Sequence, residues 1–343
     1  MSKVDWAVAT AVGSATAGRH ALEGGYHMAR FARRAPGIVA EASALVAEET
    51  GLSLPGVPEV AVISRAEWVE LNVRSFARLL APVEARLAEQ PGFGRAVASR
   101  LVGVELGAVL GFLARRVLGQ YELVLPTGDD DHGDTLVFVG GNVLDLERRF
   151  EFRPREFRFW VALHEATHRA QFVGVPWMRD HFLGLVAELL DAARPEPGRL
   201  ARVARELRDA AKAGRPVVGD TGLFGLLVAP DRRPVLDRIQ ALMTLLEGHG
   251  HVVMDRIGER MLVGQTRMSR MLASRRADPR TQALLRLVGL EMKLRQYEEG
   301  ARFVTAVERE AGFAALEAAW RGPEYLPSLA EIAEPRRWLE RVA

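Results

Sequence analysis

Cysteine is absent from this chain. Disulfide staples, thiolate-held metals and cysteine nucleophiles are therefore excluded, and any metal has to be held by His, Asp or Glu. Long apolar runs are missing too. The best, residues 101–113, spans 13 residues and contains Glu105, against the roughly 20 that a spanning helix needs. Its Gly103, Gly107 and Gly111 have the small-residue spacing that lets helices approach closely, expected here of a buried helix in a soluble protein. Excess charge is lacking as well. Forty-six Lys and Arg against 44 Asp and Glu leave +2, which gives no electrostatic footprint for nucleic acid. The pairs Arg33-Arg34, Arg115-Arg116 and Arg275-Arg276 read as solvated helix faces. Residues 6–18 read as the start of a helix rather than a signal peptide, because Asp5 interrupts the start and no leucine-rich stretch follows. The protein is expected to be cytoplasmic, with no nucleic-acid partner and no membrane span.

What is present is a globular balance, 48% hydrophobic and 26% charged residues over 343 positions, enough for a substantial core. Apolar residues recur every three and four positions through 38–50, 68–87, 93–118, 182–192, 200–213, 235–257 and 283–308, which predicts helices. Residues 121–125 and 135–139 are short and rich in β-formers, separated by the polar turn-forming loop 126–134. They predict a hairpin or two strands of a small sheet. The acidic part of that loop, 129–134, lacks the glycine and terminal glutamate of an EF-hand at the needed spacing and reads as a solvated connection. Breaks at 195–198 and 212–222 are too short to separate domains. No internal repeat is visible. The expectation is a mainly α single domain, 1–343, with a helical part over about 1–118, a strand region over about 119–140 and a second helical part over about 141–343.

The second helical part carries Phe159-Trp160-Val161-Ala162-Leu163-His164-Glu165-Ala166-Thr167-His168. Positions four apart lie on one helix face, so His164 and His168 can offer imidazole nitrogens to a single ion. Glu165 projects about 100° round the helix, which sets its carboxylate beside a metal-bound water without making it a ligand. With 8 histidines and 30 glutamates in the chain, independent placement gives roughly 0.016 matches to such a pattern.

A tetrahedral zinc site needs a third protein ligand and an open position. The metzincin spacing fails, since residue 174 is Gly174 and residue 171 is Gln171. The inverted His-x-x-Glu-His motif is absent. A ligand from a later helix, as in gluzincins, remains. Five of the eight histidines fall between 164 and 251. Glu247 closes an apolar face formed by Ile239, Leu242, Met243 and Leu246, where a carboxylate is costly unless paired or bound to metal. His249 and His251 are alternative ligands, with Gly248 and Gly250 marking a loosened or closely packed turn.

The chain resembles the zincin-like type 2 metallopeptidases, bacterial proteins of which a subgroup is associated by name with biosynthesis of a deazaflavin cofactor. The resemblance is carried by residues 111–121, by 160–172 with Val175-Pro176-Trp177, by 247–255, by Lys293-Leu294-Arg295-Gln296-Tyr297-Glu298-Glu299-Gly300, and by 320–332. It implies a zincin fold with a small sheet, zinc (Zn2+) held by His164, His168 and Glu247, and Glu165 as general base. One departure is Val252, where the family tends to have a histidine. The activity implied is that of a zinc metallopeptidase or related amide hydrolase acting on a peptide or protein. Glu165 would deprotonate a zinc-activated water, and Tyr297 or Arg295 would donate to the oxyanion. The strand 135–139 is expected to pair with an extended peptide. The rival reading is a zinc-binding scaffold without turnover, acting as a binding or regulatory protein.

Overall fold

The computed structural model describes residues 4–88, 95–124, 134–191, 233–276 and 291–343. The expected helix at 200–213, the breaks at 195–198 and 212–222, most of the acidic loop and residues 283–290 lie outside the described residues. Helices dominate the rest, as expected. They are α1 (Trp6–Ala17), α2 (Tyr26–Thr50), α3 (Arg65–Ala88), α4 (Arg95–Ala114), α5 (Gly140–Arg149), α6 (Pro154–Val173), α7 (Met178–Asp191), α8 (Arg233–Met261), α9 (Gln265–Arg276) and α10 (Glu291–Ala311). Two 3-10 segments, Phe313–Trp320 and Pro323–Tyr325, lead to the short helices α11 (Leu329–Ala333) and α12 (Pro335–Val342). No helix among the described residues is long and apolar enough to cross a membrane. The chain groups into two compact units, Met1–Pro176 with Arg256–Gln265, and Trp177–Asp255 with Thr266–Ala343.

The first unit is built on a three-stranded sheet of order β1-β3-β2. Strand β2 (Gly119–Glu122) runs antiparallel to β3 (Thr135–Val139), so the two β-rich stretches do pair. The third strand, β1 (Glu59–Ile63), lies parallel to β3 and was not foreseen. It corrects one expectation. Strand β3 is central and bonded on both sides, so it has no edge to offer a peptide.

Residues of β3 alternate between two buried layers, which accounts for its continuous apolar run. Val137 and Val139 join Ala9, Ala17, Trp68, Val69, Leu110 and Ala114 from α1, α3 and α4. Phe138 instead packs its ring 5.2 Å from that of Phe31 on α2. Close approach of α1 and α4 depends on the glycines singled out above. A Cβ on Gly103 would lie 2.5 Å from the Asp5 carbonyl oxygen, on Gly107 2.4 Å from that of Ala9, and on Gly111 2.5 Å from that of Gly13. These backbones touch without side chains between them, as the spacing predicts.

In the second unit, α8, α10 and the C-terminal segments share a core containing Leu245, Phe303, Val307, Leu316 and Trp338. The Trp338 indole donates to the Tyr325 carbonyl oxygen at 2.8 Å, and that of Trp177 to Trp320 at 2.9 Å. A capping box, in which Ser328 and Glu331 satisfy each other's backbone N–H, starts α11.

Candidate metal centre

Helix α6 begins with Pro154 at its first position, where a missing N–H costs nothing. It is buried on almost every side from Phe157 to Phe172. Its two buried arginines are tolerated because each is paired. Arg158 makes a bidentate bond to buried Glu147, at 2.6 and 2.7 Å, with its guanidinium 4.5 Å from the Phe31 ring. Burial pushes the Glu147 carboxyl upward, against the lowering by Arg158. Arg169 reaches both oxygens of Asp134 at 2.8 Å and the Pro55 carbonyl at 2.6 Å. These bonds fix the roll of the helix about its axis, and with it the direction of the motif.

The two histidines meet as the four-residue spacing requires. Their rings lie 4.6 Å apart, edge to face, with the two Nε2 atoms 3.2 Å apart. Two nitrogens each about 2.0–2.1 Å from one tetrahedral zinc ion would be about 3.3–3.4 Å apart. The pair therefore fits a shared ion. His168 Nδ1 lies 2.9 Å from Oε1 of Gln171, which is fully buried. With the amide oxygen, which can only accept, facing the ring, this contact suits the tautomer that carries its proton on Nδ1.

Glu165 is buried at 5% exposure. A Cβ on Gly119, at the start of β2, would lie 2.8 Å from both Glu165 Cγ and Oε1. The strand backbone therefore runs directly against the carboxylate, which only glycine permits. Gly119 lies inside one of the stretches of family resemblance, where nothing in its spacing points to a role. The signal was there only as a glycine opening a strand, which often marks a close approach.

Within the second unit, Glu247 is buried at 4% exposure on α8, beside Leu245 and Leu246. The glycine next to it marks a tight crossing. A Cβ on Gly300 of α10 would sit 2.0 Å from the Thr244 carbonyl oxygen and 2.9 Å from the Gly248 Cα. The neighbouring histidines have other company. His249 is buried, its ring 5.9 Å from Phe313 and 5.2 Å from Trp320. Nε2 of His251 lies 3.4 Å from Asp255. Tyr297 and Arg295 fall on α10, with Tyr297 one turn before Gly300; their side chains lie outside the described residues.

Each unit thus offers donors of its own: His164 and His168 two imidazole nitrogens to one ion in the first, Glu247 a buried carboxylate in the second. Imidazole nitrogen and carboxylate oxygen are both donors that suit zinc.

The chain is similar to a crystal structure from Chloroflexus aurantiacus described as a candidate hydrolase with a novel fold. The two are 31% identical, with a TM-score of 0.72, over 98% of each chain. No curated protein matches. Residues 4–339 match the zincin-like metallopeptidase family. With the match spanning nearly the whole chain and the histidine pair set for one ion, the protein belongs to the zincin-like metallopeptidase family.

Proposed function

We propose that the protein is a zinc-dependent hydrolase of peptide amide bonds, with His164, His168 and Glu247 as the ligands. The observation that carries this reading is the 3.2 Å separation of the two Nε2 atoms on one buried helix. Bound zinc supplies Lewis acidity and acidifies a water molecule toward a pKa of about 7. Glu247 contributes a carboxylate from an apolar helix face, a placement that a metal would compensate. His249, stacked on aromatic rings, and His251, beside Asp255, are set aside as ligands.

Glu165, next in sequence to His164, takes the proton of the attacking water and delivers it to the leaving amine nitrogen. Its low exposure keeps bulk water from competing for that proton. Tyr297 is the proposed donor to the developing oxyanion. Pairing with an extended peptide passes from β3 to β2, an outer strand of the sheet whose first residue lies against Glu165. The absence of cysteine and of a spanning helix among the described residues fits a cytoplasmic setting.

Elemental analysis of protein purified without added metal tests the ligand set. Close to one zinc per chain is expected. His168→Ala and Glu247→Ala should lose zinc to a similar degree, and His251→Ala should lose far less. Zinc retained by Glu247→Ala and lost by His251→Ala would overturn the assignment, and a folded parent without metal would overturn the zinc reading. Glu165→Gln keeps the ligands. It should bind zinc like the parent, yet cleave a peptide found by library screening about 10² to 10⁴ times more slowly. A zinc-loaded parent that cleaves nothing across broad libraries would favour the scaffold without turnover.

A further inference from the structure

We infer that Gln171 is the positioning residue of His168, fixing its tautomer so that Nε2 is presented bare on the face shared with His164. The inference rests on the zinc reading for its consequence but on the His168–Gln171 contact for its content. Three features carry it. Gln171 lies three residues after His168 on the same helix, so its side chain can meet the imidazole from the next turn. Its amide is fully buried, and Oε1 stands 2.9 Å from Nδ1. A free imidazole shares its proton between the two nitrogens, whereas here a buried acceptor holds it on Nδ1.

Metal-bound histidines generally need such an outer partner, often a carboxylate, to set ring orientation and basicity. In this chain the partner is a neutral amide supplied by the motif helix itself. A neutral acceptor polarises the ring less than a carboxylate does, so zinc should be held less tightly than the same ligand set allows.

The test uses full-length protein in three forms: parent, Gln171→Leu and Gln171→Glu. First, imidazole ¹⁵N NMR of the metal-free protein, at a pH where His168 is neutral, reads the tautomer directly. The parent should carry the proton on Nδ1, Gln171→Leu should lose that preference, and Gln171→Glu should keep it. Second, chelator competition reads zinc affinity. Gln171→Leu should bind zinc about 10 to 100 times more weakly than the parent, and Gln171→Glu at least as tightly as the parent. A merely structural glutamine would lower thermal stability without moving either readout.

A parent proton on Nε2 of His168 would mean that the amide donates rather than accepts, and would overturn the inference without any substitution. Unchanged zinc affinity in a folded Gln171→Leu would overturn it as well. A parent that binds no zinc but carries the Nδ1 proton, lost in Gln171→Leu, would remove the zinc reading and leave the positioning role standing.

Discussion

Replacing Gly300 by alanine tests the helix crossing that sets the part of α8 carrying Glu247. The added Cβ would lie 2.0 Å from the Thr244 carbonyl oxygen and 2.9 Å from the Gly248 Cα. An ordinary carbon–oxygen approach is about 3.3 Å or more, so α8 and α10 must part by roughly an ångström. Both obstacles are backbone and neither can rotate aside. The cost should therefore reach the upper end of the about 1–3 kcal/mol typical of overpacking. Against it stands the gain of alanine over glycine inside a helix, about 0.8–1 kcal/mol. The net is a loss of about 2 kcal/mol, which for a chain of this size lowers Tm by about 3 °C.

Gly184 supplies the control. It is an exposed interior residue of α7, and its Cβ would meet nothing within 4 Å. Only the helix-propensity gain acts there, so Gly184→Ala should raise Tm by about 1 °C. The assay is thermal unfolding of the two variants beside the parent, followed by circular dichroism. The opposite signs are what matter. If Gly300→Ala raises Tm as Gly184→Ala does, the two helices do not touch backbone to backbone and the crossing is wrong.

Two further outcomes are expected. Gly119→Ala adds a Cβ 2.8 Å from Glu165 Cγ and Oε1, displacing the carboxylate by about 1 Å. For the proposed zinc peptidase, cleavage should then fall by about 10²-fold with zinc content and Tm nearly unchanged, and unchanged cleavage would separate Gly119 from the chemistry. Glu49 receives hydrogen bonds from Arg256 and Arg260. Burial alone would raise its carboxyl, but those two guanidinium groups outweigh burial and hold it below the usual carboxylate range. A carboxyl depressed in the folded state adds stability above its unfolded pKa and loses it as pH falls through the folded value. The Tm difference between parent and Glu49→Gln should therefore be widest near neutrality and shrink in acid; a gap that widens in acid would reverse the sign of the interaction.

Helix periodicity was legible because each helix buries one face, and spacing alone encodes that. The stretches 68–87 and 235–257 accordingly lie within α3 and α8. The small-residue spacing at Gly103, Gly107 and Gly111 also carried its meaning without help, since a backbone contact needs only the missing side chains. Strand β1 was not legible. Five residues, Glu59 to Ile63, make too short a run to declare a period, and their partner lies more than 70 positions away. For the same reason the order of the strands was hidden, and the central strand β3 passed for an edge.

The sequence by itself determined the family and the pairing of His164 with His168, because an interval of four residues on a helix is a local fact. Only the tertiary structure decided the surroundings of the other candidate residues, each within its own unit. It brought Gly119 from a distant strand against Glu165, packed His249 onto Phe313 and Trp320, and locked Arg169 to Asp134 and Pro55. Contacts of that kind join residues far apart in the chain. No interval in the sequence encodes them; they arise when buried polar groups must find partners and backbones must find room.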